Sequence, residues 1–171
     1  MKKKIMYVSA VALLDWQGKV LISYRSKDHL VLPNFWEFPG GKIKINESPD
    51  DAVVREIKEE LSLDIDKKLL KPLSFNTHTY KNVYVEDLDV VIFFYICRSW
   101  KGTPLSKDKQ KILWVEIDKL KKYKFLPGSN KFVLELNNLK KNKKNIYKLC
   151  SLEDNTSANL FFAEPGLLGF C

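Results

Sequence analysis

Residues 41–63 have the sequence GKIKINESPDDAVVREIKEELSL, and this stretch decides the fold assignment. Its central part predicts an α-helix over residues 48–61. Ser48 is suited to the N-cap position, and Pro49 is suited to the first helical position. The two aspartates that follow place negative charge where the helix dipole is positive.

The predicted helix carries two neighbouring stripes of side chains. At about 100° per residue, one face is apolar and consists of Val53, Val54, Ile57 and Leu61. Three glutamates lie beside that face at helical spacing: Glu56, Glu59 and Glu60. The carboxylates of glutamates at this spacing repel one another and destabilise the helix. A hard cation such as Mg²⁺ would remove this repulsion, because it takes carboxylate oxygens as ligands. The alternative interpretation is an ordinary solvated acidic face.

The complete spacing of this stretch is more specific than the glutamates alone. Five residues separate Gly41 from Glu47, and seven residues separate Glu47 from Arg55. Residues 55–63 then have the sequence REIKEELSL. The segment resembles the signature of the Nudix hydrolase family, G-x5-E-x7-R-E-U-x-E-E-x-G-U, where U is aliphatic. Ser62 alone departs, because the family has glycine there to cap the helix in a left-handed conformation. A non-glycine residue costs roughly 1 kcal/mol there, so we expect an altered helix end with activity retained.

The resemblance implies an α/β/α sandwich around a mixed β-sheet. It also implies that the protein hydrolyses nucleoside diphosphates linked to another moiety, using Mg²⁺ or Mn²⁺. We expect a backbone carbonyl of Gly40 or Gly41 to hold the metal ions together with the three helix glutamates. Arg55 is expected to pair with Glu47 and to orient the carboxylates. Glu56 is the favoured acceptor of the proton from the attacking water.

The segment before the motif resembles the MutT branch of the family, which hydrolyses oxidised nucleotides such as 8-oxo-dGTP. Residues 36–43, WEFPGGKI, are similar to that branch's conserved segment. The resemblance implies substrate contacts from Glu37, Phe38, Pro39 and Gly40. Arg25 is similar to the branch's arginine for substrate phosphates, and His29 falls near its histidine.

The resemblance extends to residue 140 but weakens towards that end. Trp100, Gly102 and Pro104 are similar to a later stretch of the branch, in which Asp108 stands where the branch has a glutamate near the metals. The branch reads the oxidised base with an asparagine after a proline. Without a gap Ser129 occupies that position, and a one-residue shift gives Asn130.

Three further side-chain roles remain open. Ser129 or Asn130 caps the last helix if it does not read the base. Phe35 and Trp36 either wall the base or belong to the core. Tyr80 lies where dinucleoside polyphosphate hydrolases of the family often carry a tyrosine.

Hydrophobic patterning predicts the remaining elements. We expect strands over 5–14 and 19–25 joined as a hairpin, a loop over 26–41, a buried strand within 83–100, a strand over 111–117 and a helix over 128–139. The strand over 5–14 is favoured over a secretory signal, whose hydrophobic region would be too short. We predict a Nudix domain over 1–141 and a C-terminal extension of unknown role over 142–171.

Composition restricts the class of protein and its partners. The chain has 171 residues, 45% of them hydrophobic and 29% charged, which suits one globular domain. A net charge of +8 suits a nucleotide, a nucleic acid or an anionic membrane. No stretch approaches the roughly 18 apolar residues of a membrane helix. Three widely spaced cysteines without a zinc pattern indicate a reducing cytoplasm.

The leading hypothesis is a nucleoside triphosphate pyrophosphatase that converts 8-oxo-dGTP to 8-oxo-dGMP and pyrophosphate, with attack at the β-phosphorus. It would act as a monomer or small homo-oligomer, without a membrane. One alternative is a Nudix hydrolase of dinucleoside polyphosphates or of RNA 5′ ends, the latter favoured by a basic tail. A non-catalytic nucleotide-binding module is disfavoured, because all four glutamates of the motif are intact.

Overall fold

The computed structural model describes residues 5–29, 31–81, 83, 87–107 and 110–141. Asp108 and the predicted extension 142–171 lie outside these residues. The described part contains seven strands and two α-helices: β1 (Ile5–Leu13), β2 (Lys19–Arg25), β3 (Phe35–Glu37), β4 (Gly40–Lys42), α1 (Pro49–Leu61), β5 (Lys71–Tyr80), β6 (Leu88–Cys97), β7 (Lys111–Glu116) and α2 (Asn130–Lys141). Short 3₁₀ segments occupy Lys67–Leu69, Ile117–Lys122 and Pro127–Ser129.

The strands form two sheets. One has the order β4-β1-β6-β5 and the other has the order β3-β2-β7. All nine residues of β1 pair in parallel with β6, whereas the other pairings are antiparallel. The larger sheet is therefore mixed, and β1 lies inside it with a partner on each edge.

Alternation along β1 divides the core into two layers. Val11 and Leu13 pack in the same cluster as the apolar face of α1, which is Val53, Ile57 and Leu61. Ala10 and Ala12 pack in the cluster that contains Phe132, Val133 and Leu136 of α2. Because successive side chains of a strand point to opposite faces, the two helices lie on opposite sides of the sheet. The predicted α/β/α sandwich is confirmed.

Helix α1 begins as predicted, whereas the altered helix end expected from Ser62 is not observed. The Ser48 side chain accepts a hydrogen bond from the Asp51 N–H at 3.3 Å and so caps the first turn. After Leu61, Ser62 has φ 61° and ψ 21°, and its N–H donates to the Lys58 carbonyl. The left-handed conformation that the family's glycine would supply is thus adopted here by a serine.

The predicted hairpin of the first two strands is wrong. β1 and β2 belong to different sheets and share a single bridge between Leu14 and Val20. Since β4 and β6 occupy both edges of β1, no edge is left for β2. The predicted loop over 26–41 is also incomplete, because it contains β3 and the start of β4. Strands of three residues are too short for a periodic signal.

The other predicted elements are found with small shifts of boundary. The buried strand is β6, the strand over 111–117 is β7, and the last helix begins two residues later than predicted, after a 3₁₀ turn. The first strand, favoured over a signal segment, is β1. Within the described residues, no helix is both long and apolar enough to cross a membrane.

We expect Ser62→Gly to stabilise the fold by about 0.5–1 kcal/mol, because glycine adopts a positive φ without the steric cost that a side chain incurs. Urea denaturation measures the change. The matched control is Ser99→Gly, at an exposed position with an ordinary φ, which should be neutral or slightly destabilising. Equal effects of both changes would contradict the assignment of strain to Ser62.

Candidate active site

The pair formed by Glu47 and Arg55 organises the candidate site. The Arg55 Nε lies 2.7 Å from Glu47 Oε1, and Nη2 lies 2.9 Å from Oε2, so both carboxylate oxygens accept a hydrogen bond. A third bond reaches Glu47 from the Lys44 N–H at 2.8 Å. The Arg55 hydrogen bonds, assisted by the Lys44 N–H, lower the pKa of Glu47 to about 2. The predicted pairing is present in the structure.

Arg55 also contacts two of the three predicted metal ligands. Its Nη1 lies 2.7 Å from Glu56 Oε1 and 3.0 Å from Glu59 Oε2. Its Nη2 donates to the Lys42 carbonyl of β4 at 2.9 Å. One guanidinium therefore ties the helix glutamates to the strand beside them. These acceptors, with Glu47 first, raise the pKa of Arg55, which keeps its charge.

Two glycines of β4 allow the backbone to approach the glutamates. A Cβ atom on Gly41 would lie 2.3–2.6 Å from the carboxylate atoms of Glu56, closer than any side chain tolerates. Gly40 has φ 144°, and a Cβ there would lie 2.2 Å from the Ser9 carbonyl oxygen. The Gly40 N–H points at Glu60 Oε2, 3.3 Å away. The geometry thus requires glycine at position 40, where the close atoms are backbone, whereas a side chain at position 41 would require the Glu56 carboxylate to move.

The donor set fits a hard divalent cation. Glu56 lies against Gly41, and Glu60 accepts a hydrogen bond from the Gly40 N–H, so two carboxylates lie beside the β4 backbone, and such a cation takes oxygen ligands. Within the described residues, however, no three metal-ligating side chains converge as closely as a bound ion requires. Arg55 lies between Glu56 and Glu59. Asp108, the other predicted ligand, lies outside the described residues.

Arg25, Glu37 and His29 form a second polar cluster. Arg25 Nη1 donates to Glu37 Oε2 at 2.8 Å, and Nη2 donates to His29 Nδ1 at 2.9 Å. The guanidinium also donates to the carbonyls of Val31 and Leu32. All of its nitrogens are therefore engaged in holding the segment between β2 and β3. Sequence patterns could not indicate these backbone acceptors.

The environment of this cluster shifts two titrating groups. Burial raises the pKa of Glu37, and Arg25 offsets part of that rise. Burial and the Arg25 charge lower the pKa of His29. Because the Arg25 side chain and the Val31 N–H both donate to Nδ1, the imidazole is neutral with Nδ1 as acceptor. Phe38 and Pro39, the other predicted substrate contacts here, are buried.

The start of α2 is fixed to the edge strand β5. The Gly128 N–H donates to the Tyr80 hydroxyl at 3.1 Å, and its carbonyl accepts from the Asn76 side chain at 2.8 Å. Burial raises the pKa of Tyr80. Ser129 is 8% exposed, whereas Asn130 is exposed and lines a groove with Tyr123 and Val133. The structure therefore separates the environments of these two candidates.

Comparisons with known proteins agree with this geometry. The NUDIX domain family model matches residues 3–136. An 8-oxo-dGTP diphosphatase of Haemophilus influenzae is 29% identical over 140 residues, which cover 81% of this chain and 96% of that protein. The 8-oxo-dGTP diphosphatase of Escherichia coli strain K12 is 28% identical over 137 residues, covering 80% and 99%.

Solved structures support the fold. A structure from a study of MutT from Aliivibrio salmonicida and Vibrio cholerae has a TM-score of 0.64 at 23% identity and covers 78% of this chain and 97% of its own. The MutT protein of Methanosarcina mazei has a TM-score of 0.62 at 20% identity, with coverage of 84% and 99%. The chain belongs to the Nudix family and is a MutT-like hydrolase of pyrophosphate bonds.

Proposed function

We propose that the chain is a Mg²⁺-dependent nucleoside triphosphate pyrophosphatase that converts 8-oxo-dGTP to 8-oxo-dGMP and pyrophosphate. The observation that carries the proposal is the placement of Glu56, Glu59 and Glu60 beside Gly40 and Gly41. Relatives named 8-oxo-dGTP diphosphatase, which align over about four fifths of the chain, support the choice of substrate.

The residues that would hold Mg²⁺ are Glu56, Glu59, Glu60 and the carbonyl of Gly40 or Gly41. When bound, the cation neutralises polyphosphate charge and lowers the pKa of a coordinated water. Glu56 accepts the proton of the attacking water, since its carboxylate lies directly against the glycine backbone. Arg55 positions this group, because its Nη1 contacts Glu56 and Glu59 together.

Arg25 and His29 are assigned a positioning role. The Arg25 guanidinium already donates to Glu37, His29 and two carbonyls, so a phosphate would have to replace one of these partners. The arginine instead anchors the segment that leads into β3 and towards Gly40. Its buried pair with Glu37 is costly to break, because either partner alone would be an uncompensated charge.

Base recognition is assigned to Ser129 over Asn130. Ser129 is the buried residue beside Gly128, which contacts Tyr80 and Ile92 on the sheet. Asn130 lines the separate groove beside Ile117–Lys122. The Tyr80 residue on which the dinucleoside polyphosphate alternative depends is buried, and its hydroxyl accepts the Gly128 N–H within the fold.

The first test measures kcat/KM with Mg²⁺ for 8-oxo-dGTP, dGTP, a dinucleoside polyphosphate and a 5′-triphosphate RNA, with product analysis. We expect a strong preference for 8-oxo-dGTP and release of pyrophosphate. Ser129→Ala should reduce the ratio of 8-oxo-dGTP to dGTP activity about 5–10-fold, as expected for one lost hydrogen bond. Asn130→Ala should leave the ratio unchanged. The reverse result would assign the base contact to Asn130, and a preference for RNA or the dinucleotide would refute the proposed substrate.

The second test concerns the metal ligands. Glu60→Gln should lower kcat/KM on the order of 100-fold, because an amide is a poor ligand for a hard cation. Glu116→Gln is the matched control, since it removes an exposed carboxylate that pairs only with Lys119 among the described residues. The control should stay within about twofold of the unaltered enzyme. Full activity of Glu60→Gln would remove Glu60 from the site.

The third test uses the depressed pKa of Glu47. A carboxyl with a folded pKa of about 2 and an ordinary value of 4.5 stabilises the fold above pH 4.5, and that stabilisation is lost as the pH falls towards 2. Urea midpoints of Glu47→Gln should therefore lie below those of the unaltered chain at pH 7 and approach them at pH 3 and below. In an Arg55→Gln background this pH dependence should disappear. A gap that persists unchanged at pH 3 would contradict it.

A further inference from the structure

A basic surface lies beside β3 and α2, apart from the glutamate cluster. It contains four exposed lysines: Lys111, Lys121, Lys122 and Lys124. Within the described residues, no carboxylate forms an ion pair with any of them. The neighbouring Lys119 and Lys140 differ, because they pair with Glu116 and Asp118 at 2.7 and 2.8 Å. These four lysines therefore give the surface positive charge that no described carboxylate neutralises through an ion pair.

Aromatic rings lie between these lysines. The Trp36 ring is 5.0 Å from the Tyr24 ring and 5.2 Å from the Tyr123 ring, with interplanar angles of 51° and 81°. The Lys111 Nζ lies 6.0 Å from the centre of the Trp36 ring. The Lys124 Nζ lies 4.3 Å from that of Phe35. All four rings are half-buried, so each keeps some surface open to solvent.

A groove continues this surface along α2. Its volume is about 200 Å³, and its apolar floor includes Leu120 and Val133. Lys121, Tyr123 and Asn130 form its polar rim. Pockets for drug-sized ligands have volumes of roughly 300–1,000 Å³, and this groove is smaller. Its size suits one planar base. The Asn130 amide offers the donor and the acceptor that the edge of a base requires.

We propose that this surface, formed by Tyr24, Trp36, Lys111, Lys121–Lys124 and Asn130, binds single-stranded nucleic acid. Bases stack on the aromatic rings and enter the groove, while the lysines contact the phosphates. The combination of lysines and aromatic rings favours nucleic acid over an acidic peptide, because the peptide supplies negative charge but no bases that stack on the rings. It also favours nucleic acid over an anionic membrane, since the groove has an amide at its rim.

The surface is close to the glutamate cluster but shares no residue with it. Trp36 precedes Gly40 by four residues, so their Cα atoms lie within about 14 Å of one another. A bound strand would therefore pass close to the site without occupying it. For this reason binding to the surface and hydrolysis of a free nucleotide can be tested separately.

The experiment measures binding of the full chain to a fluorescent 12-nucleotide RNA with a 5′-hydroxyl end, by anisotropy in EDTA. This probe carries no 5′-phosphate to hydrolyse. Four phosphate contacts predict a slope of about −3 for log Kobs against log salt, at roughly −0.7 per contact on a single strand. Lys121→Gln with Lys122→Gln should move the slope towards zero by about 1.4. Tyr123→Leu should weaken binding about 10-fold or more, because a stacking face is lost.

The matched control is Lys68→Gln with Lys71→Gln, which removes the same charge from exposed positions before and at the start of β5. It should change binding far less than the Lys121 and Lys122 pair. The rate of free-nucleotide hydrolysis by the Lys121 and Lys122 variant should stay within about twofold of that of the unaltered chain. If the RNA-binding proposal fails, the proposed hydrolase function is therefore unaffected.

Four results would overturn the proposal. One is equal weakening by both lysine pairs, which would indicate only the net charge of the chain. Another is normal binding by Tyr123→Leu with an unchanged melting temperature. The third is tighter binding of polyglutamate or of anionic phosphatidylserine vesicles than of the RNA, with the same loss in the Lys121 and Lys122 variant. The fourth is no binding of the RNA at low salt.

Discussion

The hydrogen bonds of Arg55 are the constraint on which the site depends. The guanidinium contacts Glu47 through two nitrogens, reaches Glu56 and Glu59 along the helix, and donates to the Lys42 carbonyl of β4. Carboxylates at this spacing on an isolated helix would repel one another. One cation with a planar arrangement of donors offsets that repulsion and fixes the helix against the strand. Lysine could not replace it, because a point charge cannot satisfy two carboxylate oxygens and a carbonyl in fixed directions.

Close approach of the backbone is the second requirement, and it explains why β4 is so short. Gly40 fits against β1 only because it lacks a Cβ, which would meet the Ser9 carbonyl, and a Cβ on Gly41 would displace the Glu56 carboxylate. Two of the three residues of β4 therefore have no side chain to bury. Its stability comes from the pairing of Gly40–Lys42 with β1 and from the Arg55 bond to Lys42. Glu56 and Glu60 are thereby held beside the β4 backbone before any ligand arrives.

Local chemistry in the sequence was sufficient to predict α1 and its cap at Ser48, since both depend on residues within one or two turns. The altered helix end expected at Ser62 was wrong, because the serine itself adopts the left-handed conformation. The hairpin failed because pairing depends on which strand occupies each edge of β1, and adjacency in the chain does not contain that information. The same limit applies to Arg25. Its predicted phosphate contact stays a prediction, and its hydrogen bonds to the Val31 and Leu32 carbonyls could not be predicted, because their directions follow from the loop conformation. The separation of Ser129 from Asn130 likewise depends on the docking of Gly128 against Tyr80.

The distribution of charge suggests how a polyanion is received. The chain carries a net charge of +8, yet the cluster around Arg55 contains four glutamates and would repel a polyphosphate that arrives without a cation. The uncompensated lysines lie outside that cluster, beside β3 and α2. Fields from exposed charges extend about 10 Å at 0.1 M salt, and the Cα atoms of Trp36 and Gly40 are at most about 14 Å apart. Under the two proposals, the lysines would attract an anion to the neighbourhood of the site, and the glutamates would admit its phosphates only together with a divalent cation. Attraction of the anion is thus assigned to the lysines, and the requirement for a divalent cation to the glutamates. Added salt should weaken the attraction by the lysines more than it changes the requirement for the cation.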